Sequence, residues 1–414
     1  MASARPVYYF NAGLHSTELG SPEMVMEMAY RLAVSDQPMI QKIRGELIVL
    51  INPVSEPDGR DKQVDWFYRY LKGKTDFDAL PPVSPPYWGF YVFHDNNRDS
   101  HQEALQLSKA VSRMFFEYHP QVVHDLHESL PLLQTWNGTG PFNTNLDPIL
   151  LNEWFAMSFA ELSALTSAGM PGVWTWGFSD GWEHCFLDSI GVNHNSIGRG
   201  YETFGNGTAE TVERVLRPNE ERYAGRPATS QEWYRPMPPP RKFMWSLRNN
   251  TNYMESGCLA ALDYAAKHAK EMLRDFYRKG YNSWQKGVKG GPYAFAIAGG
   301  PGRPAARGRH GRPPHRPRHR GGEGDRAVQG RGRGVRGGDV RGPARSAVPR
   351  LRRRPAHAAD LPDRRRLRSL RRRVVGADGA LRARGQAHRR RQDHGRGGGL
   401  ARAGRRRASR RRGR

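Results

Sequence analysis

The chain has 414 residues and a formal net charge of +26, but the charge is concentrated behind residue 300, where 38 Arg, no Lys and 7 acidic residues leave the first three hundred mildly acidic. Every Trp, Tyr and Phe lies at or before Phe295, so the front part can build one large core and the remainder none. Two cysteines, Cys185 and Cys258, exclude a disulfide framework or a cysteine zinc site, no stretch is apolar enough to span a membrane, and "MASARPVYYF" lacks the apolar core of a signal peptide.

In chain order, residues 6–12 predict a strand, and Ser21 as N-cap with Pro22 at the first helical position opens an amphipathic helix through "EMVMEMAYRLAV". The apolar run "ELIVLINP", 46–53, predicts a strand buried on both faces, and Asn52, Pro53, Asp58 and Gly59 predict a turn behind it. Helical periodicity returns over 100–119, and "PQVVHDLHES", 120–129, alternates like a strand. A helix around 148–166, strands in "GVWTWG" and "SIGRGYETFG", and a helix over about 257–277 follow. Strands and helices taking turns predict an α/β fold, its central sheet mostly buried with helices on both faces. The loop "QTWNGTGPFNTNLDP", 134–148, fits a substrate-facing segment or a plain connection, and Asn137, Asn206 and Asn249 each open a glycosylation-type triplet.

Residues 301–414 use almost nothing beyond Arg, Gly, Pro, Ala, His, Val, Leu and Asp, and contain no aromatic residue. Such a tail is expected to be disordered. It reads either as an arginine-rich arm that attracts nucleic acid non-specifically, or as GC-rich DNA translated in a shifted frame; the lack of Lys, Asn and Ile favours the second.

The residues that could carry chemistry sit at strand ends, where ligands of α/β proteins gather. His15 and Glu18 follow the first strand three residues apart, and His127 ends another, with His124 on the opposite face if alternation is strict. Two histidines and a carboxylate match the donor set of catalytic zinc sites with a fourth position open for water.

"HSTE" at 15–18, "DNNR" at 95–98, "DLH" at 125–127 and "YETFG" at 201–205 together resemble, in order and approximate spacing, the zinc carboxypeptidase family of metallopeptidases. The resemblance spans roughly 5–300 and implies a carboxypeptidase-like sheet, lacking its first strands because so few residues precede His15. It implies one Zn2+ held by His15, Glu18 and His127, with Asp95 accepting the other ring N–H of His15. Asn97 and Arg98 would hold the free carboxylate of the substrate, and Glu202 would be the general base and acid that takes a proton from a zinc-activated water. Glu183, Glu128 and Glu255 are rivals for that last role. Trp182 stands where the family often has a tyrosine, and no second arginine is found before Asp95.

The expected activity is hydrolysis of the C-terminal peptide bond of peptides, a hydrolase's proteolysis. The alternatives are a zinc amidohydrolase on N-acyl amino acids, an inactive truncated homologue, and a nucleic-acid binder acting through the tail. The partner is a peptide or small amide with a free carboxylate, without a membrane. Relatives are often exported, so the compartment stays open.

Overall fold

The computed structural model describes residues 4–73, 87–89, 94–129, 132–178, 181–182, 184–206, 211–292 and 294. All belong to the first of two compact units, Met1–Arg303. The arginine-rich tail, Glu183 and most of the segment before Asp95 lie outside the described residues.

The strands are β1 (Val7–Asn11), β2 (Ile48–Asn52), β3 (Val122–Glu128), β4 (Leu133–Thr135), β5 (Val173–Trp174), β6 (Ile197–Thr203), β7 (Thr211–Val215), β8 (Arg222–Tyr223), β9 (Arg226–Pro227) and β10 (Lys242–Ser246). The helices are α1 (Gly20–Val34), α2 (Pro38–Glu46), α3 (Pro57–Tyr70), α4 (Gln106–Tyr118), α5 (Pro148–Ser167), α6 (Ser189–Val192), α7 (Leu247–Lys267) and α8 (Ala269–Lys289). Six strands form one sheet in the order β2-β1-β3-β6-β4-β5. β2, β1, β3 and β6 run parallel, while β4 pairs antiparallel with β6 and parallel with β5, so the sheet is mixed.

Alternation along the central strands divides their residues between two cores. Tyr8, Phe10, Val122 and Leu126 join residues of α1, α2, α5 and α7 on one face. Tyr9 and Val123 join Val111 and Phe115 of α4 and Ile190 of α6 on the other. The helices thus cover both faces of the α/β sheet, as the sequence pattern predicts. Asp125 and His127 share the α4 and α6 face, whereas His124 is buried on the opposite one, its Nδ1 2.8 Å from the Tyr8 hydroxyl. Arg199, also on that opposite face, meets Glu161 of α5 at 2.6 Å with both side chains fully buried.

Several local expectations change. The apolar run of β2 is not enclosed: among the described strands it is the edge of the sheet, with Ile48 38% exposed. An unbroken apolar run fits an interior or an edge position equally, and pairing decides between them. Asp58 and Gly59 do not form a turn but open α3, with Pro57 at its start. α1 begins at Gly20, one residue before the expected cap; Ser21 Oγ instead accepts from Gly13 N at 3.3 Å, and the Glu128 carboxylate accepts from Gly20 N at 2.5 Å. The last helix is two, because the backbone leaves the helical region at His268 (φ −109°, ψ 18°); in α8, Lys279 meets Glu153 of α5. Asn137 and Asn206 are buried, and Asn249 closes the capping box of α7.

Candidate metal centre and active site

Three segments converge where β1, β3 and β6 end. β1 stops at Asn11, Gly13 takes a left-handed turn (φ +62°), and the loop that follows carries His15 and Glu18. A side chain at Gly13 would also crowd Pro22 Cγ and the Val54 Cα at 3.1 Å, so glycine suits both the turn and the close approach. The short 3₁₀ turn Asn96–Arg98 is fastened to this loop by Asn96 Nδ2, which donates to the Leu14 carbonyl at 2.8 Å. β3 delivers His127 at its end.

His15, Glu18 and His127 are all buried, and each offers one ligand atom within 4.8 Å of the others. His15 Nδ1 lies 2.6 Å from Glu18 Oε1, and His127 Nδ1 lies 3.1 Å from Glu18 Oε2. Both rings thus turn the same nitrogen toward one carboxylate. Their other nitrogens are held from behind, His15 Nε2 by Asp95 Oδ1 at 3.0 Å and His127 Nε2 by Asp125 Oδ2 at 3.0 Å. With Nε2–H donated to carboxylates, Nδ1 of both rings is the atom left facing Glu18: it carries a proton when the ring is a cation and offers a lone pair to a metal ion that takes the proton's place. The donor set, two neutral nitrogens and one carboxylate, fits zinc.

The ionisation of these groups reflects the same need for positive charge. Burial disfavours the His15 cation, yet Glu18 and the hydrogen bond to Asp95 outweigh it and raise its pKa to about 9. Burial likewise opposes the His127 cation, and Asp125 and Glu18 nonetheless lift it well above the usual imidazole range. Burial pushes the Glu18 and Asp95 carboxyls up, but the imidazoles beside them bring both down to about 2.

Glu202 lies on β6 directly beside His127 in the parallel register, with Oε2 accepting from Ser129 Oγ at 2.9 Å. Burial raises its pKa to about 7, with the charge of His127 opposing and that of Glu18 adding. It faces a cavity of about 180 Å³ whose lining also includes His127, Arg98, Gln134 and Trp136. Arg98 has its guanidinium over the Phe186 ring at 4.3 Å and its Nη1 3.5 Å from Asp95 Oδ2. Asn97 is buried; its Oδ1 accepts from Leu187 N at 2.8 Å and its Nδ2 lies 3.2 Å from His127 Nε2. The two rivals to Glu202 among the described residues stand elsewhere. Glu128 bridges Gly20 N and Asn206 N, and Glu255 faces Arg31 at 3.0 Å. Trp182 is 43% exposed and is not part of the cavity wall.

Sequence reasoning missed three participants. Asp125 orients His127, and its signal was present two residues earlier on the same strand face. Ser129 fixes Glu202. Tyr87 stacks on His15 with ring centroids 4.7 Å apart and donates its hydroxyl to Glu18 Oε1 at 3.2 Å; nothing in its neighbourhood of the sequence announces that role.

The family model for zinc carboxypeptidase matches residues 1–75. No curated protein matches the sequence. Among solved structures, a metallo-carboxypeptidase from Burkholderia cenocepacia is 12% identical, covering 64% of this chain and 59% of its own, with a TM-score of 0.41. A metallo-carboxypeptidase from Pseudomonas aeruginosa, in complex with (2-guanidinoethylmercapto)succinic acid, is 12% identical, covering 67% and 59%, with a TM-score of 0.42. An aspartoacylase family protein from Mesorhizobium loti is 15% identical, covering 48% and 52%, with a TM-score of 0.31. The chain therefore spans about 59% of the length of the two carboxypeptidases, and likenesses this distant carry no assignment of activity. Of the resemblance expected over roughly residues 5–300, the family model matches residues 1–75, the part that carries His15 and Glu18.

Proposed function

We propose that this chain is a zinc metallocarboxypeptidase that releases the C-terminal residue of a peptide. The observation that carries the reading is the pair of imidazoles turning Nδ1 to Glu18 while carboxylates hold both Nε2 atoms, in one cavity with Arg98 and Glu202. His15, Glu18 and His127 would hold the zinc, which when bound supplies a Lewis acid for a water and for the scissile carbonyl. Arg98 receives the terminal carboxylate of the substrate, for which its planar fork is shaped, and the Asn97 amide lies beside it. Glu202 takes a proton from the attacking water on a carboxylate oxygen and returns it to the departing amine. A pKa near 7 suits a group that must do both at neutral pH. Ser129 keeps that carboxylate facing the cavity.

The test uses the full chain, with zinc measured by elemental analysis beside His15→Ala and His127→Ala, and hydrolysis measured on peptides with a free or an amidated C-terminus and on N-acyl amino acids. About one zinc per chain, lost in both variants, is expected. Cleavage should be confined to free-carboxylate peptides and fall by roughly 10²- to 10⁴-fold in Glu202→Gln with zinc retained. Cleavage of N-acyl amino acids alone would establish the amidohydrolase instead, and a folded chain that binds no zinc would refute both.

A further inference from the structure

We propose that the outward face of α8 docks on a membrane surface rich in anionic lipid. The helix lies flat in the interface, its aromatic rings among the headgroups and its cations toward the phosphates.

Tyr277, Tyr281, Trp284 and Val288 recur along α8 at intervals of four, three and four residues, and they are 60%, 48%, 60% and 56% exposed. At about 100° per residue, each stands between about 140° and 180° around the helix from Lys279, which is buried against Glu153 of α5. The stripe therefore points away from the body of the fold. Tyr281 makes it one surface, its ring centroid 6.4 Å from that of Tyr277 and 5.7 Å from that of Trp284. Beyond Lys279 no residue of α8 is buried. A helix in a protein takes most of its stability from packing an amphipathic face, and these last turns have no such packing on the fold itself.

The charge around the stripe selects the partner. α8 carries six basic residues and two acidic ones, and both acids, Glu271 and Asp275, lie in its first half, where they pair with His268, Arg274 and Arg278. After Asp275 the next acidic residue in the chain is Glu323. Arg278 and Lys289 flank the stripe, roughly 100° around from its centre line, where long side chains can keep their charge in water above an apolar surface. A second copy would set cations against cations. The stripe also offers on the order of 400 Å², about half of the roughly 800 Å² per partner that a stable pair needs. The arginine-rich segment behind residue 300 is repelled in the same way and has no aromatic residue to match the rings. An anionic bilayer surface meets both features: tyrosine and tryptophan are at home where hydrocarbon gives way to water, and nearby cations are drawn to the lipid phosphates. No described helix is long and apolar enough to cross a membrane, and in α8 only one side is apolar, the pattern of a helix that lies on the surface.

The arginine-rich segment should draw the full chain to anionic vesicles by itself, so docking is read from a label on the helix. The full chain carrying Cys185→Ser and Val288→Cys takes the environment-sensitive fluorophore NBD at position 288, because the remaining Cys258 is fully buried. On vesicles of phosphatidylcholine and phosphatidylglycerol its emission should move to the blue and be quenched by lipid spin-labelled near the headgroup. The same label at Tyr118→Cys, an exposed position of α4 on the other side of the sheet, should show neither change. Adding Tyr281→Glu and Trp284→Glu should abolish the response at 288 while the chain still sediments with the vesicles and keeps its unfolding midpoint; Tyr281→Ser with Trp284→Ser serves if the first pair fails to fold. A label at 288 that keeps its emission in water, or responds no more than the one at 118, would overturn the proposal, as would a chain that does not sediment with the vesicles. A blue shift that needs no vesicles and grows with protein concentration would overturn it too, and make the face a contact between copies.

Discussion

Asp125→Asn tests whether the carboxylate behind His127 sets the state of an imidazole proposed to hold zinc. Asp125 Oδ1 accepts from Asn11 Nδ2 at 2.8 Å, and Oδ2 accepts from His127 Nε2 at 3.0 Å. Asn11 cannot turn its amide over to accommodate a change, because its Oδ1 already accepts from Tyr9, Asn52 and Ser55. An asparagine must therefore keep its oxygen toward Asn11 and aim its NH2 at His127, which then accepts at Nε2 and carries its proton on Nδ1. That proton points at Glu18, where the metal lone pair is required. Loss of such an orienting partner weakens metal binding by roughly 10- to 100-fold, or about 1.4 to 2.7 kcal/mol. Zinc affinity is read by competition with a chromophoric chelator, with His127→Ala as the limit of full ligand loss. An affinity within twofold of the parent, in a variant of unchanged fold, would refute the orienting role.

Zinc itself should stabilise the chain: at a free concentration of 1,000 times Kd the gain is about 4 kcal/mol, visible as a rise in Tm that EDTA reverses, and a Tm indifferent to zinc would contradict the site. Gly200→Ala would place a methyl 2.5 Å from Trp136 Cε3, so the ring must shift. The expected cost is about 1 to 3 kcal/mol in urea unfolding together with a raised KM, and a fully parent-like variant would show that Trp136 is not held there. Lys279 and Glu153 form a buried pair in which burial pushes the Glu153 carboxyl up to about 7, with Lys279 opposing. Lys279→Met removes that opposition, so Glu153 stays protonated in the folded chain to higher pH than in the parent. A raised carboxyl favours folding at low pH and loses that advantage as pH rises, so parent and variant weaken together up to about pH 7. Above it the variant alone continues to fall, by up to about 1.4 kcal/mol per pH unit. A deficit that stays constant from pH 6 to 8.5 would contradict this.

Much of the architecture was legible because it rests on local periodicity. The alternation of "VVHDLHES" separated His124 from His127, and the structure puts them on opposite faces of β3. The same logic failed where pattern and partner part company. The run of β2 reads the same whether a strand is central or at an edge, and the three residues of β4 are too few to show a period. Asp58 and Gly59 are turn formers by propensity, yet they open α3 because Pro57 before them is at home in a first helical turn.

What the amino-acid order determined by itself was the composition of the site: His15 and Glu18 after one strand and His127 after another, residue types suited to a metal. Only the tertiary structure decided how they are used. Asp125 orients His127, Ser129 holds Glu202, Tyr87 covers His15, and Gln134 stands beside Glu202, because strand register and loop closure bring together groups as much as 73 residues apart. Such contacts depend on which strands pair and in what register, a property of the whole sheet that no single segment encodes.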